Sequence, residues 1–253
     1  MWRKHPYLCC VVVSGLMLLP GEEIIAGETP QASDTRPSIV AFGDSLTAGL
    51  GVSREDAYPA QLQRRLKELH YQYRVINAGA SGDTSAGGLR RVPWVLKSKP
   101  AVVILELGAN DGLRGLSIEQ TTKNLTLIIQ QLQEAKVRVV LAGMKLPPNY
   151  GQDYTRGFES IYPALAKQYH LPFIPFFLEG VAASPTLNQA DGIHPTKEGY
   201  RIVVEQVLKV LKPVLQGAEG KKPIAPPRLM GTQPPPRGNP RGMRDMAEAI
   251  GRW

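Results

Sequence analysis

Five times along this chain a short apolar run breaks off at a turn, and a helical pattern follows. The runs are Ile39–Phe42, Tyr73–Gly79, Ala101–Leu107, Val137–Gly143 and Pro172–Pro175. The first has the partly β-branched composition of a strand buried on both faces of a sheet, and the third is the strongest strand signal of the five. Helical spacing is expected over Tyr58–His70, from Thr84 to Lys97, over Ser117–Glu134, over Tyr154–Tyr169, where Pro163 should start or bend the helix, and over Thr196–Leu211. Strand alternating with helix predicts an α/β fold with a five-stranded parallel sheet covered on both faces and right-handed crossovers. In such a sheet, ligands bind in the crevice beyond the carboxyl ends of the strands. The turns after the runs are therefore the places to look for chemistry.

The rest of the chain frames this domain. Its 253 residues, 43% hydrophobic and 21% charged, suit one well-buried domain with tails. The net charge of +8 would suggest nucleic acid if it were concentrated in the domain. From Gln216 onward seven Lys or Arg face three acids, whereas Ser38–Leu215 spreads twenty basic and fifteen acidic residues without a block. A nucleic-acid partner is not expected. Arg3, Lys4 and His5 precede the apolar stretch Leu8–Leu19, the pattern of an export signal and short for a membrane span. Residues 1–27 are thus expected to be a signal peptide, 28–37 a linker, 38–215 the folded domain, and 216–253 a Pro-, Gly- and Arg-rich mobile tail. Export to the periplasm or beyond follows as an expectation, with a membrane tether if the leader is retained. Both cysteines, Cys9 and Cys10, lie in the leader, so the mature chain offers no disulfide, cysteine nucleophile or thiolate metal site.

Four turns share one rim of the expected sheet. Gly43-Asp44-Ser45 follows the first strand, Gly82-Asp83 the second, Gly108-Ala109-Asn110-Asp111 the third, and Asp191-Gly192-Ile193-His194-Pro195 the fifth. Each could separately be a helix cap or a turn. Together they hold what a nucleophilic serine needs: a base within reach and a group that orients the base. His194 would take the Ser45 proton, and Asp191, expected to be buried, would accept the other ring N–H. His5 lies in the leader, while His70 and His170 read as helix-end residues. The backbone N–H groups of Ser45 and Gly82, with the Asn110 amide, would face the oxyanion of a tetrahedral intermediate. No spacing suggests a metal, and no phosphate-binding glycine loop suggests a nucleotide, so no cofactor is expected.

These blocks, in this order across Ser38–Leu215, resemble those of the SGNH, or GDSL, hydrolases. Longer strings such as Ser81–Ser85, Glu106–Gly115, Leu146–Gly151 and Ile161–Lys167 are similar to the bacterial periplasmic thioesterase, lysophospholipase and arylesterase subgroup. The resemblance implies a three-layer, flavodoxin-like fold, Ser45 as nucleophile, His194 as base with Asp191 as its partner, and Gly82 and Asn110 in the oxyanion hole. The Pro-rich tail has no counterpart in that pattern. No long insertion suggests a large lid, so the site is expected to be open. Leu113, Leu116, Met144, Leu146, Pro147 and Tyr150 stand in the rim loops and would line a trough for an acyl chain. The expected substrates are medium or long acyl esters and thioesters and short aryl esters, taken by a monomer whose contact with a membrane would come through a lipid substrate or a retained leader. A carbohydrate deacetylase or acyltransferase on the same triad, and a silent binding module, are the competing readings.

Overall fold

The computed structural model describes residues 34–217; the leader, most of the linker and nearly all of the tail lie outside them. In chain order the elements are β1 (Ser38–Gly43), α1 (Ser45–Ala48), α2 (Tyr58–Glu68), β2 (Arg74–Gly79), α3 (Ser85–Lys97), β3 (Val102–Glu106) and α4 (Ala109–Leu113). They continue with α5 (Ile118–Glu134), β4 (Arg138–Ala142), α6 (Gln152–Gln168), β5 (Phe173–Ile174) and α7 (Lys197–Gln216). All neighbouring strands run parallel in the order β2-β1-β3-β4-β5. Every residue of β1 and β3 is buried, which is why those stretches carry no polar alternation. β2, at one edge, is half-buried and tolerates Arg74 and Asn77. β5, at the other edge, is confined to two residues between Pro172 and Pro175, which have no N–H to extend the ladder.

Helices α2 and α7 pack together, as do α3 with α5 and α5 with α6, giving the helical layers of a three-layer α/β fold. Side-chain caps set the helix starts: Thr84 accepts the Gly87 N–H, Ser117 the Gln120 N–H and Thr196 the Gly199 N–H. One expectation about proline and one expected helix end need correction. α6 runs unbroken through Pro163, and α7 continues past Leu211 through Pro213 to Gln216. Buried Ile161, Tyr162 and Leu165 in α6, and Leu211 and Leu215 in α7, anchor each helix on both sides of the missing N–H, so packing outweighs one lost bond.

The chain visits β2 on one side of β1 before crossing to β3 on the other, so the topological switch lies between β1 and β3. Ser45 follows the first of these strands and Asn110 the second, placing both at the crevice where parallel sheets bind ligands. The carboxyl end of β1 is packed tightly. A Cβ on Gly43 would lie 2.0 Å from the Thr47 hydroxyl and 2.3 Å from the Glu106 carboxyl, so no side chain fits beneath the serine turn.

Candidate active site

Ser45 is the first residue of α1, where strand gives way to helix within two residues. Asp44 caps that helix by accepting the Leu46 N–H at 3.0 Å, which fixes the turn presenting the serine. The His194 Nε2 lies 2.9 Å from the Ser45 hydroxyl oxygen, and His194 Nδ1 lies 2.6 Å from Asp191 Oδ2. The other Asp191 oxygen accepts the backbone N–H groups of Ile193 and His194 at 2.9 and 3.0 Å. Since an ionised carboxylate only accepts, the network assigns the ring proton to Nδ1 and leaves the Nε2 lone pair for the serine hydroxyl.

Asp191 corrects the expectation of a buried carboxylate: its side chain is 45% exposed, against 14% for His194. Slight burial pushes its carboxyl up, but the His194 and Ile193 N–H groups and the His194 ring outweigh it and hold the pKa down at about 2. Hydrogen bonding from its own loop, not exclusion of water, keeps this group ionised. That loop is braced from outside. The Gln189 backbone N–H reaches the His194 carbonyl at 2.7 Å, and the Gln189 amide donates to the carbonyls of Pro195 and of Leu50, just beyond α1. Gln189 therefore ties the histidine loop to the serine segment. A lone loop glutamine carries no periodic or motif signal, so sequence reasoning passed over it.

The expected oxyanion donors fall into two kinds. Among the described residues, no protein acceptor takes the backbone N–H of Ser45 or of Gly82. The Asn110 amide gives one hydrogen to the Asp83 carbonyl at 2.9 Å and the other to Asp44 Oδ2 at 3.2 Å. It thereby joins the residue before Ser45 to the residue after Gly82. A substrate oxygen reaching Asn110 must compete with Asp44. Arg91 secures the same corner: it pairs with Asp83, donates to the carbonyls of Gly43 and Ala78, and lies over the Phe42 ring. Asp111 holds the following turn by accepting from the Ser85 N–H and hydroxyl.

Beneath the serine lies a buried acidic pair. Burial pushes Asp44 up to about 6, although the Leu46 N–H and the Asn110 amide draw it down. Glu106 on β3, fully buried and then opposed by Asp44, is raised well above the carboxylate range. Its Oε2 accepts from the Thr47 hydroxyl at 2.6 Å. The sign for stability follows from linkage. Asp44 titrates near 6 when folded and at its ordinary 3.8 when unfolded, so its cost is absent at low pH and grows as pH rises through 6. Asp44→Asn should therefore raise thermal stability at pH 8, by on the order of 1 to 3 kcal/mol, and lose that gain at pH 4. Melting curves at the two pH values check this; an equal effect at both would contradict it.

An apolar cleft of about 440 Å³ opens beside the serine. Ser45 and His194 are not among its walls, but their neighbours Leu46 and Ile193 are. Of the residues expected to line it, Leu113, Met144, Leu146 and Pro147 do so. Leu116 and Tyr150 do not: Leu116 stands 41% exposed, and the Tyr150 hydroxyl reaches back to the Leu113 carbonyl. Their residue types fitted a trough, but neither joins its wall. Phe176 and Leu178, after β5, also line the wall and were missed because their run reads only as loop. Among the described residues no His, Cys, Asp and Glu group of three or more gathers as metal ligands would.

Comparison with known proteins extends the picture. Residues 41–202 match the model of the GDSL-like lipase/acylhydrolase family. The chain is 44% identical over 200 residues to esterase TesA of Pseudomonas aeruginosa, covering 79% of this chain and 98% of that protein. It is 40% identical over 185 residues to thioesterase 1/protease 1/lysophospholipase L1 of Escherichia coli, covering 73% and 86%. Among solved structures, the psychrotrophic esterase EstA from Pseudoalteromonas, inhibited by monoethylphosphonate, superposes with a TM-score of 0.68 at 32% identity, covering 71% of this chain and 98% of that one.

Proposed function

We propose a mechanism and a substrate preference from one premise: this chain belongs to the GDSL-like lipase/acylhydrolase family. It is a hydrolase of ester and thioester bonds. The observation that carries the mechanism is the unbroken run of hydrogen bonds from Ser45 through His194 to Asp191, beside two backbone N–H groups that no acceptor among the described residues takes. Ser45 attacks the acyl carbon as its proton passes to His194 Nε2, and Asp191 steadies the imidazolium. The Ser45 and Gly82 N–H groups, with the Asn110 amide, stabilise the oxyanion. Collapse of the intermediate breaks the bond to the alcohol or thiol, which leaves with the proton held on His194. Water then repeats the sequence on the acyl-serine and restores the free enzyme.

The apolar cleft supports a preference for medium or long acyl groups, because its walls offer hydrocarbon and few polar partners. Each methylene it takes from water is worth about 0.8 kcal/mol, or roughly fourfold in kcat/KM. Across p-nitrophenyl esters of increasing length, kcat/KM should climb by about that factor per carbon until the chain outgrows the cleft. A flat profile, with faster release of acetate from an acetylated polysaccharide, would favour the deacetylase reading.

A further inference from the structure

A second cleft, of about 280 Å³, lies on the opposite side of the serine strand from the apolar one. The apolar cleft draws its walls mainly from loops after β3, β4 and β5. The second is built from the loop after β2 and the first turns of α3, by Ser81, Gly82, Asp83, Gly87, Arg90 and Arg91. Gly82 belongs both to this cleft and to the expected oxyanion donors. The groups on an attacked acyl carbon diverge, so a substrate with its acyl chain in the apolar cleft would keep its departing atom at His194 Nε2 and could extend the far end of its leaving group toward β2.

The charges in this second cleft are unequally committed. The Arg91 guanidinium is spent on Asp83, Gly43 and Ala78, and Asp83 is neutralised by it. Arg90 is exposed and makes no hydrogen bond or ion pair among the described residues. Arg114 reaches over from the loop after α4, donating to the Gly82 carbonyl at 3.0 Å, and adds a second cation at the lip. One helical turn beyond Arg90, on the same face of α3, Trp94 stands 55% exposed. An uncharged alcohol has no use for a free guanidinium here, whereas a phosphate takes it as a forked donor.

We propose that the Arg90 cleft is a leaving-group subsite that selects esters and thioesters whose alcohol or thiol carries a phosphate. The inference rests on the acyl-transfer reading above and adds the recognition of the departing half. Two sources share this chemistry: an acyl thioester of a nucleotide-bearing thiol such as coenzyme A, and a lysophospholipid. Trp94 would stack on a base in the first case and meet the glycerol and headgroup region in the second.

The test compares wild type, Arg90→Ala and Arg90→Glu on three substrates with the same acyl chain: the acyl-CoA, the lysophosphatidylglycerol and the p-nitrophenyl ester. The fall in kcat/KM on a phosphate-bearing substrate should exceed the fall on the p-nitrophenyl ester by about tenfold or more, and be steeper for the glutamate variant. A selective fall confined to acyl-CoA, and repeated by Trp94→Ala, identifies the nucleotide thioester. One confined to the lysophospholipid identifies the lipid. Falls of equal size on all three substrates, or none on either phosphate-bearing one, overturn the proposal. Wild-type protein inert on the p-nitrophenyl ester would instead sink the acyl-transfer reading itself.

Discussion

Replacing Ser45 by alanine should lower kcat on a p-nitrophenyl ester by about 10⁴- to 10⁶-fold, with little change in folding stability. The hydroxyl is the only atom removed, and its one hydrogen-bond partner among the described residues is His194 Nε2. Ser45 packs no apolar surface of its own, so a stability change within about 0.5 kcal/mol is expected. The loss should be shared with the base. His194→Ala should cost a similar factor, and the double variant hardly more than either, because the two act as a unit on one proton. Steady-state kinetics and melting curves on the three variants check this. Multiplying losses in the double variant would show that the pair does not act together.

The second large effect is expected at Asn110. Removing its amide by Asn110→Ala should lower kcat by about 10²- to 10³-fold, the cost of losing one oxyanion donor. Unlike the serine, this residue should also matter for stability. Among the described residues its amide is one of two donors held by the buried Asp44 carboxylate, the other being the Leu46 N–H. Leaving that carboxylate short of a donor should cost about 1 to 3 kcal/mol above pH 6, where Asp44 is ionised, and less below it. A kcat change below tenfold would remove Asn110 from the reaction. A stability loss independent of pH would mean that its bond to Asp44 carries no weight.

The sheet was readable from the chain because its strands are buried on both faces: Val102–Leu105 and Val139–Ala142 carry no polar residue to confuse the period. The short helices α1 and α4 were not, since four or five residues show no periodicity. Pro163 misled for the opposite reason. A local rule allowed a helix start there, and buried neighbours on both sides carry α6 through it. At the site, Ser45, His194, Asp191 and Asn110 could be found because each ends a strand or closes a turn at a fixed offset. The exposure of Asp191 could not be, because it depends on which side of its loop faces solvent. Nor could the brace at Gln189 or the buried Glu106, whose partners lie on segments distant in sequence. Leu116 and Tyr150 had the right residue type for the trough but stand outside its wall, which only the surrounding backbone decides.

The central claim is that the acyl group passes through the Ser45 oxygen. Intact-protein and peptide mass spectrometry after reaction with a fluorophosphonate tests it most directly. One adduct per chain, mapped to the peptide holding Ser45, lost in Ser45→Ala and strongly slowed in His194→Ala, is the expected result. An adduct on another residue, or an active wild-type enzyme that takes up none, would contradict the account.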